Sequence, residues 1–224
     1  MQQKIGVLGL GVYSTNFYMN ELHKKYYQFK GGFATFPFLL HQVDFNLINP
    51  FLPNQFEKLI PKLEGVILEL EKYPIQKWII PNITLHETFD KLDKKVDVIH
   101  PIEVVSKFCA LKQINSLVIF GTKYTMKSNY LSLELAKKNI KIIQPKEKDM
   151  VWIDEYRTKI YYQKNTPADL SEFENIIKKY SSENYILIAC TELSIISNEI
   201  KSNRLVDIAK LQIEEALKIQ QNNN

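Results

Sequence analysis

Short apolar runs alternate with stretches of helical periodicity along most of the chain, and this alternation limits the folds open to it. The runs are Lys4–Leu8, Phe33–Phe38 continuing to Phe45, Lys77–Ile80, Asp97–Ile99, Leu117–Phe120, Lys141–Ile143 and Tyr185–Ala189. Each is short and bounded by Gly, Pro or polar residues, as strands covered on both faces of a parallel sheet are. Between them, Phe56–Lys72 places Phe56, Leu59, Ile60, Leu63, Val66, Ile67 and Leu70 three and four residues apart. That spacing predicts a helix with one buried face. Ser128–Lys138, Leu170–Tyr180 and Ile208–Ile219 read the same way. Strand and helix in repetition predict an α/β fold with a mostly parallel sheet. The segment Pro145–Pro167 is less regular and holds Trp152, Tyr156, Tyr161 and Tyr162. It either wraps a pocket or packs on the core as an aromatic-rich helix. The polar tail Gln220–Asn224 is expected to fray.

Composition excludes several classes of protein. With 45% hydrophobic and 24% charged residues over 224 positions, the chain is not disordered as a whole. At about 150 residues per domain it forms one large domain or two small ones. The charge-free stretch around Gly32–Val43 is too short to span a bilayer and contains Pro37 and His41. The net charge is +4, but the basic residues are spread out and no Lys/Arg block carries interleaved aromatics, which argues against nucleic-acid binding. Only Arg157 and Arg204 can offer a bidentate fork to a carboxylate. Lys4 leads into a strand-like run and not into a signal peptide. A reducing, cytoplasmic setting is therefore expected, with Cys109 and Cys190 as free thiols.

The segment Gly6-Val7-Leu8-Gly9-Leu10-Gly11 is a poor dinucleotide fingerprint, because Ser14 stands where a third glycine should fall and no acidic residue ends the next strand region at the usual distance. It reads better as a glycine turn into a helix starting near Ser14 and Thr15. Their hydroxyls and the free N–H groups would suit a small carboxylate, or simply cap the helix. Two segments echo one another: Trp78–Thr84 and Tyr185–Thr191 each run from a buried strand into a polar residue at its end. Open α/β sheets bind ligands at the carboxyl ends of their strands, so Asn82 and Cys190 hold comparable places. Cys190 sits between a strand and a helix beginning Thr191-Glu192-Leu193. A helix N-terminus stabilises a thiolate and would lower its pKa below about 8.5; the alternative is a buried, inert thiol. Cys109, among Val105, Phe108 and Leu111, reads as buried in mid-helix. His23, His41, His86 and His100 have no ligand spacing, so no metal is expected. A Ser/His/Asp hydrolase lacks its nucleophile elbow.

Taken in order, these motifs resemble the aspartate/glutamate racemase family, which works without pyridoxal phosphate or any other cofactor. Lys4–Gly9 is similar to the family's opening strand and glycine turn, and Leu39–Phe45 to its second strand. Phe120-Gly121-Thr122-Lys123-Tyr124-Thr125-Met126 matches its Gly-Thr-x-x-Thr-Met turn, and Ala189-Cys190-Thr191-Glu192-Leu193 its second-cysteine motif. Val206–Ala209 resembles the start of its last helix. The resemblance implies two pseudo-symmetric α/β halves, residues 1–99 with 207–224 packed back on them and residues 100–206, with the active site in the cleft between. It implies a two-base reaction: one thiolate removes the α-proton and a thiol opposite returns one to the other face. Cys190 would be the second-half base. Ser14, Thr15, Thr84, Thr122, Thr125, Thr191 and Glu192 would bind the substrate, a small carboxylate or amino acid. A homodimer is compatible with the resemblance.

Three departures bear on activity. The family's Pro-Cys-Asn-Thr-x-His reads Pro81-Asn82-Ile83-Thr84-Leu85-His86 here, so Asn82 replaces the first cysteine. An amide does not carry protons near neutral pH. Gln212 stands where the last helix usually has a histidine, and Asn46–Lys58 lacks the arginine that binds a side-chain carboxylate. Arg157 or Lys159 could serve instead. Three readings follow: an amino-acid racemase-type isomerase using Cys190, with a water on Asn82 and Thr84 for the other face; a one-cysteine decarboxylase of the arylmalonate type; or an impaired relative that binds a carboxylate or a partner.

Overall fold

A computed structural model describes residues 4–221. The chain divides into two compact units: the residues up to Pro101 together with those from Gln212 onward, and Ile102–Leu211. Each has its own parallel sheet flanked by helices, of three strands in the first and four in the second, so the fold is α/β.

The first unit is built on β1 (Ile5–Gly9), β2 (Phe38–Gln42) and β3 (Lys77–Ile79), in the order β2-β1-β3 and all parallel. Parallel neighbours need crossover connections, supplied by α1 (Val12–Lys30) and α2 (Phe56–Leu70). Central β1 is buried throughout. Its Gly6 has a physical cause: a Cβ there would stand 2.3 Å from the Trp78 ring, which lies over the strand. Leu59, Leu63, Ile67 and Leu70 form the buried stripe of α2. They share one core with Leu8, Trp78, Ile80 and, from α3 (Leu85–Phe89), Leu85 and Phe89.

The second unit begins within α4 (Pro101–Lys112) and continues through β4 (Ser116–Phe120), α5 (Lys123–Lys127), α6 (Asn129–Ala136), β5 (Lys141–Ile143), α7 (Glu147–Tyr161), α8 (Pro167–Ser181), β6 (Tyr185–Ile188), α9 (Thr191–Ile196) and β7 (Leu205–Asp207). Its strands lie in the order β5-β4-β6-β7, all parallel. A Thr166/Asp169 capping box starts α8. The last helix, α10 (Ile208–Gln221), starts in this unit and belongs to the first from Gln212.

Several sequence expectations need correction. Of the run from Phe33 to Phe45 only Phe38–Gln42 is strand. Gly31 and Gly32 turn the chain at positive φ, Phe33 is exposed, and Phe36 packs edge-on against Tyr26. Asp97–Ile99 makes a single bridge, between Val98 and Trp78, and no strand. Pro145–Pro167 is mostly the regular helix α7, whose Trp152 and Tyr156 pack on Phe173. Its periodicity is hidden because charged residues interrupt the buried face. Of Val206–Ala209, which resembles the start of the family's last helix, Val206 and Asp207 lie in the edge strand Leu205–Asp207, and the helix begins at Ile208. Gln220 is buried on α10 and does not fray; residues 222–224 lie outside the described residues. No helix among the described residues is long and apolar enough to cross a membrane.

Candidate functional site

In an open parallel sheet, the chain leaves neighbouring strands in opposite directions at one point, and ligands bind at the carboxyl ends there. In the first unit that point lies between β1 and β3, and in the second between β4 and β6. The sequence-predicted residues stand at these two places.

At the end of β1, the Ser14 hydroxyl donates to the Gly11 carbonyl at 3.1 Å, and Thr15 Oγ1 accepts from the Leu10 N–H at 3.0 Å. The helix itself starts at Val12. Beyond β3, Asn82 Oδ1 accepts from the Leu85 N–H at 3.0 Å and so caps α3. Thr84 is half-buried and makes no capping bond. His86 is fully buried, 3.4 Å from the Ile80 carbonyl oxygen and edge-on to His100. Burial, with the neighbouring His100, lowers its pKa to about 3, so it is neutral at physiological pH. Gln212, buried on α10, accepts from Tyr18 Oη and donates to the Ile99 carbonyl, both at 2.6 Å.

At the end of β4, Thr122 caps α5: its Oγ1 accepts from the Thr125 N–H at 3.0 Å and lies 2.8 Å from Thr125 Oγ1. The Ala189 N–H donates to the Phe120 carbonyl at 2.7 Å, joining the two strand ends. Gly121 allows this approach, since a Cβ there would come within 3.1 Å of the Ala189 carbonyl oxygen. The next residue is Cys190, 6% exposed. Its Sγ lies 2.7 Å from Glu192 Oε2 as donor. Thr191 is buried beside it.

The expected low-pKa thiol is not what this geometry makes. Burial pushes Cys190 well above its ordinary value, and the negative charge and hydrogen bond of Glu192 push it further. The Arg157 charge opposes this, but the balance keeps the group a thiol at neutral pH. A helix of six residues offers a weak dipole against burial and an adjacent carboxylate. Glu192 accepts from the thiol of Cys190.

Arg157, on α7, is the cation of this site. Burial works against its charge, but the bond from its Nε to Asp154 Oδ1 at 3.0 Å, with the charges of Asp154 and Glu192 and that of Cys190 once ionised, raises its pKa. The same Asp154 oxygen accepts from the Lys123 N–H at 3.0 Å, tying α7 to the Thr122–Thr125 turn. Lys159, two residues on and about 200° further around the helix, pairs with Asp169 at 2.6 Å and serves the start of α8. Asp154 escaped the sequence reading, although its spacing three residues before Arg157 is a known helical pairing. Among the described residues no cluster of His, Cys, Asp and Glu could hold a metal ion.

No protein-family model matches the sequence, and no curated protein matches it. The fold is that of the Asp/Glu racemases. A candidate Asp/Glu racemase from Yersinia pestis superposes with a TM-score of 0.83 at 17% identity, covering 98% of this chain and 99% of that one. An aspartate racemase homologue from Pyrococcus horikoshii gives 0.80 at 17% identity, over 98% and 99% of the two chains. The aspartate racemase of Picrophilus torridus gives 0.77 at 16% identity, over 98% and 94%.

Proposed function

We propose that this chain is a cofactor-independent isomerase of the Asp/Glu racemase kind, moving a proton at the α-carbon of a small amino or carboxylic acid with Cys190 as the acid/base. One convergence supports the reading. The ends of β4 and β6 gather a thiol, a guanidinium whose charge reaches it, and the hydroxyls of Thr122 and Thr125. Thr122, Thr125 and Thr191 hold the substrate carboxylate, and Arg157 anchors a second carboxylate where the substrate has one. Cys190 first passes its proton to Glu192, and Arg157 offsets the thiolate charge. The thiolate then takes the α-proton; the C–H electron pair stays on the substrate, delocalised into its carboxylate, and the S–H bond re-forms. In the first unit Asn82 carries no proton; Ser14, Thr15 and Thr84 remain candidates for holding carboxylate or water there.

The test is α-proton loss in D2O, followed by NMR, for L- and D-aspartate, glutamate and a panel of small amino acids. Exchange that disappears in Cys190→Ala supports the reading, whereas no exchange with any of them, or undiminished exchange in the variant, sinks it. A second reading is favoured by the neutral state of the thiol: a one-cysteine decarboxylase, in which Cys190 protonates the carbanion left by CO2. Release of CO2 from disubstituted malonates tests it, and no release across the panel removes it.

A further inference from the structure

Asp207, at the end of β7 and 6% exposed, is a buried carboxylate that the proposed chemistry leaves unused. Its Oδ1 accepts from Ser194 Oγ at 2.8 Å, its Oδ2 from Ser197 Oγ at 2.9 Å, and the Lys210 N–H at the start of α10 lies 3.3 Å from Oδ1. Burial raises its pKa, against the Lys210 charge and the two serine bonds. Buried acids are costly, so one held by this many donors has been placed with specific contacts.

Those contacts act on α9. This helix is six residues long, and its N-cap residue, Cys190, makes no side-chain capping bond. So short a helix has little stability of its own, and its orientation must come from tertiary ties. Ser194 and Ser197 lie about 60° apart around the axis, so both face Asp207, while Glu192 lies about 200° from Ser194. The Ser194 hydroxyl is also 3.3 Å from the Cys190 carbonyl oxygen. Fixing the serine face therefore fixes where Glu192 points and how the Cys190 backbone is held.

We infer that Asp207 is a positioning residue: through Ser194 and Ser197 it sets the rotation of α9 and so brings Glu192 Oε2 against Cys190 Sγ. The inference rests on the reading of Cys190 and Glu192 as the working pair. Asp207 acts by hydrogen-bond geometry, through the two serines.

Iodoacetamide alkylation of Cys190 in the full chain, read by peptide mass spectrometry to separate it from Cys109, tests this across pH. Glu192→Gln supplies the reference: with the carboxylate charge gone, the alkylation profile moves to lower pH. Asp207→Ala is expected to move it the same way, speeding alkylation near neutrality by about tenfold, the factor that one pKa unit represents. Asp207→Asn, whose amide can bond both serines, is expected to keep the wild-type profile. An Asp207→Ala protein that unfolds cooperatively yet shows the wild-type profile overturns the inference, as does an unshifted Glu192→Gln profile. Should Asp207→Ala not fold, Ser194→Ala and Ser197→Ala decide: partial shifts support it, and two wild-type profiles overturn it. No α-proton exchange with any substrate, beside the expected alkylation pattern, counts against the proposed reaction and leaves the positioning role standing.

Discussion

Gln212 stands where the resembled family carries a histidine, and the structure makes it a strut. Its side chain is fully buried and uses both ends, accepting from Tyr18 on α1 and donating to the Ile99 carbonyl. Tyr18→Phe would remove the hydroxyl and leave Gln212 Oε1 without that donor in the core. Orphaning a buried polar group costs about 1–3 kcal/mol, which at roughly 2–4 °C per kcal/mol lowers Tm by about 4–8 °C for a loss near the middle of that range. Gln212→Leu would take the Gln212 acceptor from the Tyr18 hydroxyl and the Gln212 donor from the Ile99 carbonyl, for about 2–6 kcal/mol. In the double variant Tyr18→Phe/Gln212→Leu, only the Ile99 carbonyl is stranded, so the combined loss should fall below that of Gln212→Leu alone. Urea unfolding of the four proteins gives the coupling, expected to be about 4 kcal/mol short of additivity at the middle of these ranges. Additive losses, or a Tyr18→Phe protein as stable as the parent, would refute the strut.

Two further predictions concern pH. His86 is neutral in the fold and titrates normally when unfolded; its lowered pKa means that stability is complete above about 6.5 and is lost as pH falls toward about 3. His86→Phe should flatten the acid limb of a plot of urea midpoint against pH, and an unchanged limb would count against the assignment. Cys109, raised by burial to about 11, behaves in the opposite sense: the folded state keeps the proton, so stability is complete below the unfolded value near 9 and declines up to about 11. The loss from this group is about 3 kcal/mol, and Cys109→Ala should abolish that alkaline decline when midpoints are compared at about pH 8 and pH 11.

The parts of the fold legible in the sequence were those whose pattern was set by burial alone. Ser116–Phe120 and Tyr185–Ile188 are covered on both faces, and their continuous apolar runs follow from that. The stripe of α2 was equally plain. Edge and mixed environments were not: Leu205–Asp207 is three residues long and ends in an acid, so nothing in its composition separates it from the helix that follows. The site was legible to the level of position. Strand-end logic puts Asn82 and Cys190 at comparable places in the two units, and Thr122 and Thr125 enter through the family resemblance. The state of the thiol was not legible, because it depends on a side-chain rotamer. A helix start predicts a lowered pKa; burial reverses it, and the approach of Glu192 from two residues away adds to the reversal.

The two strand-end sites differ in what their polar groups have left to give. In the first unit, Ser14, Thr15 and Asn82 each bond to local backbone, and the buried histidine nearby cannot be protonated at ordinary pH. In the second, a thiol, a carboxylate and a guanidinium share one charge balance, with Asp154 steering the guanidinium and Asp207 the carboxylate. On the reading proposed above, proton transfer is therefore lodged in one unit, and its stereochemical consequence follows. A single carrier returns the proton to the face from which it came, so exchange of the α-hydrogen should run ahead of inversion. The ratio of deuterium incorporation to change in optical rotation, in the same D2O sample, measures this directly. A ratio near unity from the first turnovers would mean that a second proton carrier reaches the opposite face, and the one-sided account would fail.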